Sequence, residues 1–315
     1  MSDIASLAGD VLRGDVRAVA RAVTLVENSL PEATGLLSRL FPHAGRSVVV
    51  GVTGPPGAGK STIVDRLTSH LRRGGRSVGV VAVDPTSPFS GGAILGDRIR
   101  MQSHATDDGV FIRSMATRGH LGGLAASTGQ VITILSAAGK DVVLVETVGV
   151  GQDEVEVVGT ADLCLVVLVP GLGDEVQALK AGIMEIADIF VVNKADREGA
   201  DRVVAEIESM LSLAPTDDRP EILTTVATRD EGIPELLSSI DAFWGRARTT
   251  GRLKEKRRVN LEREFERALG ERLMRHVWSQ VVGPPEKAEI VSRLEARQLD
   301  PMSAAEAIVG RMGLS

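Results

Sequence analysis

Short β-branched runs recur between about residues 46 and 245, at 47–53, 77–83, 109–113, 141–147, 162–169, 188–193 and 221–227. Most are continuous apolar runs rather than alternating ones, the mark of strands covered on both faces. The segments 61–73, 121–138, 173–186 and 197–213 between them are long enough for helices. In the first, Ile63, Val64, Leu67 and Leu71 fall at helical spacing. Strands alternating with helices predict an α/β fold: a mostly parallel sheet flanked by helices, with ligand loops at the carboxyl ends of the strands. The chain before it is helical in pattern. Val19, Ala22, Val23 and Val26 share one face behind Asp15 as cap, and Leu30-Pro31-Glu32 opens another helix. After Trp244 the pattern is helical again. Leu261, Phe265, Leu269, Leu273, Val277 and Val281 step by four along a helix of about 25 residues. Gly283-Pro284-Pro285 stops it, and shorter helices follow near 286–297 and 301–312. The expected organisation is a helical extension over 1–45, the sheet domain over 46–250 and a helical segment over 251–315.

Composition narrows the class. Of 315 residues, 43% are hydrophobic and 25% charged, enough apolar chain for one large or two modest cores. A net charge of −6 argues against a nucleic-acid partner. The first residues lack a basic region followed by an apolar core, and no apolar stretch reaches the roughly 18 residues of a membrane span. A cytoplasmic protein without a membrane or nucleic-acid partner is expected. Cys164, the single cysteine, sits in Leu163-Cys164-Leu165-Val166-Val167 and reads as a buried apolar thiol. The basic run Lys254-Glu255-Lys256-Arg257-Arg258 reads as a solvated helix face, because Glu262, Glu264, Glu266 and Glu271 follow it.

The chemistry gathers at the strand ends. The first run leads into Gly54-Pro55-Pro56-Gly57-Ala58-Gly59-Lys60-Ser61-Thr62. Strand, glycine-rich turn and helix is the context that the GxxxxGK[ST] phosphate loop requires. Its backbone N–H groups and the helix N-terminus cradle phosphate, Lys60 reaches the β- and γ-phosphates, and Ser61 is a hard oxygen ligand for Mg²⁺. Asp84 closes the second strand and is a candidate on the metal side. Asp97 reads equally as ligand or cap. The fourth strand ends in Val142-Val143-Leu144-Val145-Glu146, an apolar run closed by an acid, as in a Walker B strand. Three residues on, Gly149 can offer its N–H to a γ-phosphate. Gln152 reads either as a water-orienting residue or as a plain loop residue. The sixth strand ends in Asn193-Lys194-Ala195-Asp196, an NKxD guanine reader. Asp196 can accept both N1–H and the 2-amino group of guanine, a donor pair adenine lacks. Asn193 braces the neighbouring loops, and the stem of Lys194 covers a face of the base. The seventh strand ends at Val226-Ala227-Thr228, where a backbone N–H can meet guanine O6.

GPPGAGKST (54–62), VDPTSPFSGGAILGDRIRM (83–101), VETVGVGQDE (145–154), PGLGDEVQALKAGIMEIAD (170–188) and VVNKAD (191–196) together resemble the methylmalonyl-CoA mutase-associated GTPases of the MeaB type. Some members of that family carry older names as arginine/ornithine transport kinases. The resemblance covers essentially the whole chain. It implies a P-loop NTPase fold with a G domain of the SIMIBI class and a C-terminal helical dimerisation arm. It implies GTP/GDP and Mg²⁺ as ligands, a homodimer, and an adenosylcobalamin-dependent acyl-CoA mutase as partner. The mutase's cofactor loading would be gated and the working enzyme protected. By position it implies Lys60 and Ser61 on phosphate and Mg²⁺, with Asp84, Asp97 and Glu146 as the acidic metal side. Residues 147–154 would be a switch, and 172–182 with Lys180 a second switch facing the mutase. Residues 226–228 read Val-Ala-Thr where Ser-Ala-x is usual, so only the backbone role of Ala227 carries over. Two alternatives stay open: a nickel-type metallochaperone GTPase, and a kinase or ATPase linked to amino-acid transport. The five histidines are scattered, which disfavours the first. Asp196 disfavours an ATP enzyme.

Overall fold

The computed structural model describes residues 2–84, 101–104, 106–116, 123–147, 149, 159–171, 186–212 and 219–313. Seven strands form one sheet: β1 (Val48–Thr53), β2 (Val78–Asp84), β3 (Val110–Ala116), β4 (Val142–Thr147), β5 (Leu163–Leu168), β6 (Ile189–Asn193) and β7 (Glu221–Thr225). Their order is β3-β2-β4-β1-β5-β6-β7, and every neighbouring pair is parallel. The strand carrying the glycine loop is therefore central, with β4 on one side and β5 on the other. Both faces are covered, which is why β4, β5 and β6 are buried at every position.

On one face the helices α1 (Ser2–Leu12), α2 (Val16–Glu27) and α3 (Glu32–Leu40) join the helix α5 (Gly123–Ala137). Val11, Val23, Leu36, Leu40, Ile134 and Leu135 meet Val81, Val143 and Val145 of the sheet there. Asp15 caps α2 as the sequence predicts, its Oδ1 accepting from the Ala18 N–H at 2.7 Å. On the other face lie α4 (Lys60–Arg73) and α7 (Ile233–Thr249), packed through Ile63, Leu67, Ile233 and Leu236. A third cluster places α6 (Ala200–Ser212) against Phe190 and Val192 of β6. The predicted seventh strand over 221–227 stops at Thr225: Ala227–Arg229 is a turn of 3₁₀ helix, and Val226 only bridges to Glu231.

The chain divides into two compact units, residues 1–260 and 261–315. The long helix α8 (Arg252–His276) begins in the first and continues into the second. Its opening turns correct the reading of 254–258 as a solvated face. The Arg257 guanidinium donates to both oxygens of Asp162, at 2.7 and 2.6 Å, and to the carbonyls of Gly45 and Ser47. Lys256 Nζ donates to Asp188 Oδ2 at 2.9 Å and to the Asp162 carbonyl at 3.1 Å. Lys254 and Arg258 remain exposed, as predicted. Both carboxylates are buried beside the start of β5 and β6, and each also accepts a backbone N–H, from Val49 and Cys164 respectively. A buried carboxylate needs such partners. In the second unit, α9 (Pro284–Glu295) and α10 (Pro301–Arg311) follow α8, tied by an Arg311–Glu286 pair at 2.6 Å. Cys164 is buried, as expected, and burial pushes its thiol well above the ordinary range. No helix among the described residues is long and apolar enough to cross a membrane.

Candidate functional site

The glycine loop leaves β1 at Gly54 and enters α4 at Lys60. Gly54 has φ +144°, and a Cβ there would lie 2.1 Å from the Val167 carbonyl oxygen of β5. Gly59 has φ +93°, and its Cβ would lie 2.3 Å from Asn193 Nδ2. Both positions admit only glycine, for backbone conformation and for space. Pro55 and Ala58 are buried, while Pro56 and Gly57 face out. Lys60 is 5% exposed, and its ammonium donates to the carbonyls of Gly54 at 2.7 Å and Pro55 at 3.0 Å. The cation is thus held over the loop whose amides would take phosphate. Thr62, next to Ser61 in the first turn of α4, is half-buried.

Glu146 sits one register step from the end of β4, opposite Val52 of β1. Ser61 Oγ donates to Glu146 Oε1 at 2.5 Å, and both residues are buried. A hydroxyl and a carboxylate side by side form a hard-oxygen donor set of the kind Mg²⁺ takes beside substrate phosphates. The residues present therefore fit the ion. Of Asp84 the structure gives the strand position, the last residue of β2. Asp97, Gln152 and Lys180 lie outside the described residues. Among the described residues no three His, Cys, Asp or Glu side chains group to hold a metal.

Asn193 joins the glycine loop to the segment that follows β7. Its Nδ2 donates to the Ala58 carbonyl at 2.8 Å, and its Oδ1 accepts from Thr225 Oγ1 at 3.0 Å and the Ala227 N–H at 3.2 Å. The Ala227 N–H assigned to guanine O6 is thus already engaged by Asn193, and a base carbonyl would share or exchange that donor. Lys194 has φ +57°, and its Nζ donates to the Gly57 carbonyl at 2.7 Å, so its stem spans the gap between the two loops. Asp196 is exposed at the rim, with Arg229 Nη2 donating to its Oδ2 at 3.2 Å. Val226 and Ala227 are buried and Thr228 is exposed.

Several contacts around this site escaped the sequence reading. Thr53 and Thr147 end adjacent strands, and their hydroxyls meet at 3.0 Å beside the Gly149 carbonyl. The available signal was a hydroxyl at the last position of each buried run, masked by the high strand propensity of threonine. Arg229 carried no signal. His70, near the end of α4, contacts both oxygens of Asp230 at 2.9 Å and so ties α4 to the turn that follows β7.

Comparisons with known proteins show the family. The family model described as methylmalonyl-CoA mutase-associated GTPase MeaB matches residues 19–282. The GTPase ArgK of Escherichia coli K12 is 37% identical over 292 residues, covering 89% of this chain and 88% of that protein. A Pyrococcus abyssi relative is 51% identical over 302 residues, covering 94% and 93% respectively. The crystal structure of a protein called LAO/AO transport system kinase superposes with a TM-score of 0.74 at 28% identity, over 99% of this chain and 98% of that one.

Proposed function

The chain belongs to the MeaB family of methylmalonyl-CoA mutase-associated GTPases, and from that premise we propose that it is a GTP-binding and GTP-hydrolysing chaperone for an adenosylcobalamin-dependent acyl-CoA mutase. In this reading it gates loading of the cobalamin cofactor and protects the working enzyme. Methylmalonyl-CoA mutase is the first candidate partner. The single observation that carries the nucleotide part is the Asn193 hub. One buried amide binds the phosphate loop at Ala58 and the base-side segment at Thr225 and Ala227. It holds a phosphate cradle and a base-edge reader at fixed spacing, as one nucleotide spanning both requires.

Lys60 exchanges its two loop carbonyls for the β- and γ-phosphate oxygens, and the amides of 57–62 orient the chain of phosphates. Ser61 and Glu146 would hold Mg²⁺, which would neutralise phosphate charge there. Asp196 turns from Arg229 to the N1–H and 2-amino donors of guanine. Adenine presents no such pair, so it leaves the carboxylate without its donors and binds less well. In this reading intrinsic hydrolysis is slow and the partner accelerates it. The output is conformational, since contacts to a γ-phosphate exist in one nucleotide state and not the other.

The test is a comparison of GTP and ATP turnover, with and without purified methylmalonyl-, isobutyryl-, hydroxyisobutyryl- and ethylmalonyl-CoA mutases. GTP turnover stimulated by one of them is expected. GTP turnover with no stimulation and no complex removes the chaperone role and leaves the GTPase. Preference for ATP, with phosphate transferred to an acceptor, would instead favour the kinase reading.

A further inference from the structure

We infer that Thr53 and Thr147 are positioning residues that pre-set Gly149 to receive a γ-phosphate. The inference rests on the GTPase reading above and assigns the discrimination of triphosphate from diphosphate to two hydroxyls. Both threonines are fully buried, at 0% exposure. They lie one register step beyond the Val52–Glu146 pair, so they are cross-strand neighbours on the same face of the sheet. Thr53 immediately precedes Gly54 of the phosphate loop, and Thr147 immediately follows Glu146.

Thr147 Oγ1 donates to Thr53 Oγ1 at 3.0 Å, and Thr53 Oγ1 donates to the Gly149 carbonyl at 3.0 Å. Thr147 Oγ1 also lies 3.2 Å from that carbonyl. With one proton on each hydroxyl, a relay from Thr147 to Thr53 to Gly149 uses both protons and satisfies the carbonyl. A plain cross-strand threonine pair would end at the hydroxyl–hydroxyl bond. Here the pair reaches past its strands and grips the residue that follows them.

The residue gripped is the one for which restraint matters most. Glycine has the largest backbone freedom to lose when a ligand fixes it. A glycine already held by its carbonyl loses less on binding, so a γ-phosphate that uses its N–H binds more tightly. A diphosphate has no group at that position and gains nothing from the restraint. The hydroxyls therefore act on the ratio of the two affinities, whereas a threonine pair serving only the sheet would act on stability.

The test measures dissociation constants of GDP and of a non-hydrolysable GTP analogue with the full chain carrying Thr53→Val, Thr147→Val, Thr53→Ser or Thr147→Ser. Valine keeps the shape and removes the hydroxyl. The expected result with either valine is a loss of roughly five- to tenfold in analogue affinity, the size of one hydrogen bond. GDP affinity should stay within about twofold, because GDP does not touch Gly149. The serine variants should restore the wild-type ratio and also guard against misfolding of the valine chains. Equal weakening of both nucleotides, tighter analogue binding or no change overturns the assignment. Failure of the wild-type chain to bind either guanine nucleotide overturns the GTPase reading itself, and the assignment with it.

Discussion

Gly59 and Asn193 face each other across a gap that a single methyl group would close. A Cβ at Gly59 would lie 2.3 Å from Asn193 Nδ2, the atom that donates to Ala58. Gly59→Ala is therefore expected to break the hub and cost roughly 2–4 kcal/mol, from strain at φ +93° and a displaced buried amide. Guanine-nucleotide affinity should fall at least tenfold by calorimetry. Adding Gly59→Ala to Asn193→Ala should lower that affinity little further, because the Nδ2 bond to Ala58 that the methyl would displace is already gone. Additive losses would mean that the two residues act separately. A second residue-scale prediction concerns acid. Arg72 donates to both oxygens of Asp107, and the Gly109 N–H donates to Oδ1, which holds the Asp107 carboxyl down at about 2. A carboxyl depressed in the folded state stabilises above its unfolded value, here 3.8, and that stabilisation is lost as pH falls through about 2. The urea midpoints of wild type and Asp107→Asn should differ near neutrality and converge between about pH 4 and 2. A gap that persists unchanged at pH 2 would exclude the ion pair as its source.

Elements were more legible than the bonds between them. The β-branched runs gave each strand to within a few residues, because a parallel strand covered on both faces has little room for polar residues. Asp15 showed the start of α2 because capping is local. The phosphate loop and the NKxD segment were visible for the same reason: each is contiguous, and glycine or acid is required at fixed spacing. What stayed hidden is bonded across long stretches of chain. Arg257 meets Asp162 across 95 residues and Lys256 meets Asp188 across 68, and neither distance leaves a trace in periodicity. Thr53 and Thr147 are 94 apart and looked like ordinary strand formers. The Arg257–Asp162 contact carries a prediction of its own. Removing the guanidinium leaves a buried carboxylate with the Val49 N–H, where breaking one partner of a buried pair costs about 3–5 kcal/mol. Arg257→Leu should lower the denaturation midpoint by that equivalent. Nucleotide selectivity should be unchanged, since the contact lies at the amino end of β5, away from the loops. A shift under about 1 kcal/mol would mean water takes the place of the arginine.

At the scale of the whole molecule, the second unit poses a problem that the chain by itself does not solve. Leu261, Phe265, Leu269 and Leu273 of α8 are 47%, 66%, 46% and 44% exposed. Charged residues occupy the positions between them, among them Glu262, Arg263, Glu266, Arg267, Glu271 and Arg272. A contiguous apolar seam bordered by charge is a binding surface more often than a solvated one. The step of four residues turns the seam by about 40° each time around a helix of 3.6 residues per turn. It therefore winds, and suits a helix crossing over a few turns better than a long parallel one. A second copy of the chain supplies such a helix with the same seam, which gives the self-complementary contact of a two-fold dimer. The wild-type chain is accordingly expected to sediment at twice its 33.3 kDa. Phe265→Asp with Leu269→Asp should give a monomer. The substituted side chains are exposed, so thermal stability of the 1–260 unit and affinity for GDP should stay within experimental error. A wild-type monomer at micromolar concentration would sink the dimer, and would leave the mutase as the surface that covers the seam.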